Sequence, residues 1–202
     1  MTNLLILIGA VACGLVLAFA IALSRYYRKA GPGEALVRSG MGGMMATTAK
    51  EGGMWALPFV HYVDVMDLTA KQLEFTLNGQ NGLICKDNLR TDIEEVGLID
   101  DAQGFIRVDV EAVFVVRVDD DTQNIQEVAE SIGCERASTR ETLVELFDAK
   151  FSEALKSTGK KYYLAELRSN VDAFKADLLA TIGDDLNGFR IDSCDIRFPG
   201  LR

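Results

Sequence analysis

The chain has 202 residues, 49% of them hydrophobic, and a formal net charge of −9. Because residues 1–24 contain no Asp, Glu, Lys or Arg, all of this negative charge belongs to the rest of the chain. Nucleic-acid binding requires a basic surface that neutralises phosphates, so the composition argues against a nucleic acid as partner.

The four cysteines are widely spaced and form no C-x-x-C pair, and the chain has a single histidine, His61. Structural zinc sites take their ligands in close pairs, and disulfide frameworks belong to small secreted domains. The pattern therefore predicts free thiols in a reducing compartment and no metal. Since no nucleotide-binding motif is present either, we expect no cofactor.

The first predicted element is a membrane-spanning helix. Residues 4–23 contain no charge, and at about 1.5 Å per residue they make a helix of roughly 30 Å, the thickness of a hydrocarbon core. Basic and aromatic residues follow at once, as expected for anchors at the bilayer interface: Arg25, Tyr26, Tyr27, Arg28 and Lys29. We predict a transmembrane anchor with a basic flank over residues 1–29, crossing the membrane once.

The orientation follows from the same residues. Basic side chains lie only on the C-terminal side of the apolar segment, which places the domain of residues 30–202 in the cytoplasm. A cleaved signal peptide is the alternative, since Ala18-Phe19-Ala20 resembles a cleavage site. Such a peptide begins with basic residues and has a shorter apolar stretch, and this segment has neither feature.

A glycine-rich β region comes next. Gly31-Pro32-Gly33 should end the helix, residues 34–38 suggest a strand, and residues 54–77 suggest two or three more. Several apolar side chains here could enter the lipid headgroup region: Met44, Met45, Trp55 and Phe59, together with Met41. The alternative is that these side chains pack inward as ordinary core.

The clearest strand covers residues 105–118, where apolar and charged residues alternate. Alternation over this length is typical of a half-buried antiparallel strand. The period then changes, and residues 122–132 predict a short helix.

Two longer helices and a final strand complete the chain. Ser138-x-x-Glu141 matches a capping box that would open a helix ending near Gly159. An apolar stripe over residues 164–186 predicts a second helix, closed by Asn187-Gly188. Residues 189–198 alternate again. This order predicts an α+β domain in which an antiparallel sheet packs with helices.

No catalytic motif is present, and we predict no catalytic residues and no enzyme. His61 lies in an apolar stretch without the sequence signature of a catalytic triad, and Asp119-Asp120-Asp121 lacks the ligand spacing of a calcium loop. One enzymatic alternative is a serine or thiol hydrolase that uses Ser131 or Cys134 with His61.

The order of these segments resembles a known family. The segments that carry the resemblance are WALPFVHYVDVMDL at residues 55–68, LICKDNLRTDI at 83–93, FVVRV at 114–118, SIGCERASTRETLVELFDAKFSEALKSTGKK at 131–161 and DLNGFRIDSCDI at 185–196. Together they resemble the flotillin branch of the stomatin/prohibitin/flotillin group, whose shared domain is called SPFH or Band 7. Bacterial inner-membrane flotillin-like proteins are the most similar.

The resemblance implies a membrane-anchored α+β domain that forms large homo-oligomers and scaffolds membrane microdomains without a catalytic centre. In bacteria such proteins are often paired with a small membrane protein that carries an OB-fold domain. We therefore expect a non-enzymatic scaffold whose partners are the lipid bilayer and further copies of itself. A regulatory partner of a membrane protease, as prohibitin-like relatives can be, is the alternative.

The chain departs from the family pattern at two places. The segment around residues 94–104 is longer than expected, and we interpret it as a surface loop that could alter a subunit contact. The family continues into a long coiled coil, whereas this chain stops at Arg202. We expect either a truncated form or oligomerisation without the coil.

Overall fold

The structure is a computed structural model that describes residues 2–86, 105–183 and 186–199. The chain divides into two compact units. The N-terminal unit comprises Met1–Leu68 and Asp120–Glu135, and the C-terminal unit comprises Thr69–Asp119 and Arg136–Arg202. The predicted loop at residues 94–104 lies outside the described residues.

The N-terminal unit begins with a long helix and continues as short antiparallel strands. Its elements are α1 (Thr2–Arg25), β1 (Tyr27–Lys29), β2 (Glu34–Gly40), β3 (Met45–Thr48), β4 (Gly53–Trp55), β5 (His61–Asp67) and α2 (Thr122–Ser131). The strands form a sheet in the order β3-β2-β5 and a separate pair, β1-β4. α2 packs on β2 and β3, and the buried residues of this unit include Leu36, Val37, Met66, Ile125 and Val128.

Within the residues that the structure describes, no helix meets the combined requirements of length and apolarity for crossing a bilayer.

The C-terminal unit combines two small sheets with three helices. Its elements are β6 (Lys71–Leu77), β7 (Leu83–Lys86), β8 (Phe105–Val108), β9 (Val110–Val118), α4 (Arg140–Gly159), α5 (Leu164–Ser169), α6 (Val171–Ile182) and β10 (Phe189–Arg197); the short α3 (Cys134–Ser138) precedes α4. One sheet has the order β10-β9-β6, the other is the pair β7-β8, and all pairings are antiparallel. The predicted α+β class with antiparallel sheets is confirmed.

An aromatic cluster holds α4 against the β10-β9-β6 sheet. The rings of Phe151 and Phe114 lie 4.4 Å apart between centroids, and Phe75 lies 5.4 Å from Phe151. Phe147 stacks on Phe151 at 5.2 Å and meets Phe189 of β10 edge-on at 5.4 Å. All five rings are buried, so the alternating strand and the helical stripe meet in one core.

The strand predicted at residues 105–118 is wrong as a single element. The chain leaves the strand conformation at Asp109, whose carboxylate accepts a hydrogen bond from the backbone N–H of Gly79 at 3.0 Å. β8 then pairs with β7, while β9 pairs with β6 and β10. Alternation reports which faces are buried, and it does not reveal that a strand changes partners.

The predicted capping box is also wrong. Ser138 is the last residue of α3, and α4 begins at Arg140 with Thr139 at its N-cap, so the Ser138–Glu141 spacing does not coincide with the helix start. The reason is local, because the preceding short helix uses residues 134–138.

The helix predicted over residues 164–186 is two helices. Asn170 interrupts it and caps α6, its side chain accepting the backbone N–H of Ala173 at 3.3 Å. α6 ends at Gly183, and Asn187-Gly188 instead forms the turn into β10. Asn favours helix caps, which explains why an apolar stripe alone overestimated the length.

The aromatic cluster provides a stability test. Phe151→Ala should lower the free energy of unfolding of the C-terminal unit by about 3–5 kcal/mol, because a fully buried ring leaves a cavity. Leu146→Ala, on the exposed side of the same helix, should change it by about 0.5 kcal/mol or less. Native-state hydrogen exchange of the β9 amides measures both, and equal effects would contradict the assignment of Phe151 to the core.

Candidate membrane-interface site

The segment that follows α1 pairs directly with a second strand. Tyr27 lies opposite Trp55, Arg28 opposite Met54 and Lys29 opposite Gly53 in the β1-β4 pair. The backbone N–H of Ala56 also donates to the carbonyl of Tyr26 at 2.9 Å. Three of the five predicted interface anchors, Tyr27, Arg28 and Lys29, are thus held in a β-strand that pairs with the strand of Trp55.

Gly53 allows this pairing to be close. A Cβ at this position would lie 2.5 Å from the carbonyl oxygen of Arg28 and 2.7 Å from the ring of Tyr27. The ring of Tyr27 in turn contacts that of Trp55 at 5.4 Å between centroids. A glycine is required here because any side chain would push β1 away from β4.

The β region exposes a group of large apolar side chains, which we call the apolar patch: Met41, Met45, Trp55, Leu57, Phe59 and Val60. Phe59 is 96% exposed and Met41 is 76% exposed. Among the sequence-predicted contacts, Met45, Trp55 and Phe59 belong to this patch, whereas Met44 is half-buried. Contiguous exposed apolar surface is typical of a contact site for a membrane or protein.

Arg38 of β2 forms hydrogen bonds with two members of the apolar patch. Its guanidinium donates to the backbone carbonyl of Trp55 at 3.0 Å and to the sulfur of Met45 at 2.8 Å. Arg38 itself is half-buried, so it positions the apolar side chains and leaves them at the surface.

His61 fixes the turn that carries Phe59. The backbone N–H of Leu57 donates to His61 Nδ1 at 3.1 Å, and Nε2 lies 3.1 Å from the carbonyl oxygen of Met41. An acceptor at Nδ1 and a donor at Nε2 define the neutral imidazole with its proton on Nε2. One ring nitrogen therefore binds the backbone at Leu57, in the turn that carries Phe59, and the other binds the backbone at Met41, just after β2.

A glycine again permits this arrangement. Gly40 has φ +131°, and a Cβ there would lie 2.2 Å from the carbonyl oxygen of Val60. The β2–β5 pairing can therefore continue to the Gly40–His61 pair, where the chain turns into Met41.

A cavity of about 560 Å³ lies beside the patch, within the N-terminal unit. Its lining includes Arg25, Tyr26 and Arg28 from the flank of α1 and Pro58, His61 and Tyr62 from the β4–β5 segment. Sequence reasoning identified the flank and the patch separately. It missed the cavity, since only the β1-β4 pairing brings the two together.

The geometry gives no support to the hydrolase alternative. Ser131 Oγ donates to the carbonyl of Glu127 in its own helix at 2.7 Å. Cys134 is 7% exposed, and burial, with a smaller effect from Asp64, raises its thiol pKa to about 11. A nucleophilic thiol needs the opposite shift. In the described part of the chain, no three His, Cys, Asp or Glu side chains are grouped to hold a metal ion.

Two other groups with a shifted pKa, Tyr162 and Asp195, form side-chain pairs at the surface of the C-terminal unit. The hydroxyl of Tyr162 donates to Asp177 at 2.7 Å, which raises the pKa of Tyr162 to about 12. Lys175 lies 3.1 Å from Asp195 and lowers the pKa of that carboxyl group. Neither pair lies in a described cavity, and surface pairs of this kind contribute little to stability.

The fold and the site define a class of protein: an α+β domain that directly follows an apolar helix, with basic and aromatic residues where the two join. The sequence matches the SPFH domain / Band 7 family over residues 28–199, and the chain belongs to this family.

The chain is similar to the flotillin family inner membrane protein YqiK of Escherichia coli (strain K12). The two are 28% identical over 178 residues, which cover 87% of this chain and 29% of that protein. The chain therefore spans less than a third of this relative's length. The prediction of a flotillin-like member of the SPFH/Band 7 group is confirmed.

The role of His61 can be tested by backbone exchange. His61→Ala should accelerate amide exchange at Leu57 about threefold to tenfold, because a hydrogen bond contributes about 0.5–1.5 kcal/mol. His61→Asn keeps an acceptor at the Nδ1 position and should restore most of the protection. NMR exchange rates decide, and equal rates for all three proteins would show that His61 does not hold the turn.

The thiol assignment predicts a pH dependence. Burial moves the Cys134 pKa from 9.0 to about 11, so the reactive thiolate fraction at pH 8 should be about 100-fold smaller in the folded than in the unfolded chain. Alkylation of Cys134 by iodoacetamide should therefore be slow at pH 8 and accelerate until the pH reaches about 11. Peptide mass spectrometry follows the rate, with urea-unfolded protein as control. Rapid labelling at pH 7 would contradict the buried neutral thiol.

Proposed function

We propose that this chain is a non-enzymatic membrane scaffold of flotillin type. It self-associates at the cytoplasmic face of the inner membrane and organises membrane microdomains and their proteins. The observation that carries the proposal is an exposed apolar patch fastened by backbone hydrogen bonds to the end of an apolar helix. The apolar helix and the apolar patch follow each other on an otherwise acidic chain, and this arrangement favours contact of both with lipid.

Residues 1–29 act as the anchor in this proposal. The twenty residues 4–23 carry no charge, and side chains along α1 are more than half exposed: Val11, Leu15, Val16, Leu17, Phe19 and Ile21. Burying this surface in lipid provides about 25 cal/mol per Å². Arg25, Arg28 and Lys29 then set the orientation, because basic residues stay on the cytoplasmic side.

Residues 30–202 form the domain at the bilayer surface. Phe59, Trp55, Met41 and Met45 enter the headgroup region, where partly apolar side chains are stabilised. Similarity to an inner membrane protein of the flotillin family supports this location.

Self-association supplies the mechanism. A weak contact between domains, repeated among subunits that share a two-dimensional surface, produces a stable array through high effective concentration. Homo-oligomers and a small membrane protein with an OB-fold domain remain our predicted partners. No observation on the described residues favours the regulatory partner of a membrane protease over the scaffold.

The absence of enzymatic activity is part of the proposal. It is supported by the high pKa of Cys134 and by the hydrogen bond of Ser131 to its own helix. Both features oppose the activation of a nucleophile.

Membrane retention and particle mass test the proposal together. The full chain should stay with the membrane pellet after alkaline carbonate extraction, and its detergent particle should exceed the monomer mass of 22.1 kDa many-fold. Val11→Arg with Leu15→Arg should release it, because each charge costs about 2.5–3.5 kcal/mol near the centre of a membrane helix. Sedimentation and light scattering measure the two properties.

The matched control places the same two charges elsewhere. Leu146→Arg with Leu179→Arg changes two exposed leucines of the C-terminal unit and should leave membrane retention unchanged. Release of the unmodified chain by carbonate would contradict the anchor, and a particle of monomer mass would contradict the scaffold.

A further inference from the structure

The cavity beside the apolar patch has the properties of an anion site. We propose that it binds the phosphate of an anionic phospholipid headgroup, with Arg25 and Arg28 as the binding residues. This inference rests on the proposed function, because it assumes that the N-terminal unit lies at the bilayer surface. It adds a ligand class and a defined site to that function.

The charge of the cavity is the first argument. Arg25 ends α1 and Arg28 lies at the centre of β1, and both line the cavity. Within residues 2–86, 105–183 and 186–199, neither guanidinium has a carboxylate partner, and none of the described lining residues is acidic. Two arginines that line one cavity suit a phosphate, because a guanidinium can bind phosphate through paired N–H donors.

The walls of the cavity are the second argument. His61 presents a ring whose two nitrogens already bind backbone groups, so it shapes the site as a neutral wall. Tyr26 and Tyr62 also line the cavity, and a tyrosine hydroxyl can donate to a phosphate oxygen. The volume of about 560 Å³ is within the range of about 300–1,000 Å³ usual for small-molecule sites.

The neighbours of the cavity favour a lipid over a soluble phosphate. Pro58 lines the cavity and is followed by Phe59, which is 96% exposed, while Ala56 lines it next to the exposed Trp55. A headgroup bound to Arg25 and Arg28 would place its acyl chains beside this apolar patch. A soluble phosphate has no acyl chains and would gain nothing from those apolar side chains.

Trp55 allows a direct test, because it is the only tryptophan of the chain and lies next to the cavity. The full chain is placed in phosphatidylcholine nanodiscs that contain the same fraction of brominated phosphatidylglycerol or brominated phosphatidylcholine. Brominated chains quench tryptophan fluorescence on contact. The unmodified protein should be quenched more strongly by phosphatidylglycerol at an ionic strength near 0.5 M, where the Debye length is about 4 Å.

The variants separate the site from general charge attraction. Arg25→Gln and Arg28→Gln should each lower the preference for phosphatidylglycerol about fivefold, because each loses a direct hydrogen bond to the phosphate, which contributes about 1 kcal/mol. Lys29→Gln removes the same charge from a residue that does not line the cavity, and at this ionic strength it should change the preference less than about twofold. Far-UV circular dichroism confirms that each variant is folded.

Four results would overturn the inference. An equal loss in Lys29→Gln would show unspecific attraction. Loss of the preference for phosphatidylglycerol when glycerol phosphate is added at the same concentration as the lipid would show a site for a soluble phosphate. Absence of quenching by either lipid would place Trp55 away from the bilayer and would also contradict the proposed function. Equal quenching by both lipids would contradict the headgroup site alone.

Discussion

The central constraint in the N-terminal unit is the pairing of β1 with β4, which begins two residues after α1 ends. Tyr27 and Lys29 have no freedom to continue the helix, because their backbones are bonded to Trp55 and Gly53. The end of an apolar helix is therefore joined rigidly to an exposed apolar patch. Without Gly53 the two backbones could not approach, and the flank of α1 would be an independent linker.

The remaining features of this unit follow from that junction. The turn after β4 is held by His61, which leaves Phe59 at the surface, and Arg38 holds the backbone of Trp55 from the side of the sheet. Arg38 and His61 form hydrogen bonds with the backbone next to the exposed apolar side chains, and these bonds hold the side chains at the surface. An exposed apolar surface of this kind suits contact with a membrane or another protein, and it does not resemble a site that activates a nucleophile.

Sequence patterns were reliable where one local rule decided the outcome. The strand of residues 189–198 and the helix of residues 122–132 are present, and β10 and α2 end within one residue of the predicted ends. Two or three strands are predicted within residues 54–77, and the structure has three, β4, β5 and β6. Two of the failures occurred where a polar residue redirected the chain. Asp109 separates two strands with different partners, and Asn170 divides a helix that its apolar stripe would extend. Periodicity measures burial, and a side-chain hydrogen bond to the backbone is not part of it.

By itself, the sequence determined the apolar helix, its basic and aromatic flank and the α+β class, because composition and periodicity are local properties of the chain. It also indicated the flotillin-like family, through the resemblance of its segments to that family. It also named Trp55 and Phe59, although it left open whether they were core or surface. Only the tertiary structure decided that they are exposed and that Arg25 and Arg28 share a cavity with His61. The physical reason is that these contacts join residues more than thirty positions apart, and strand register, which single-residue patterns do not specify, determines them.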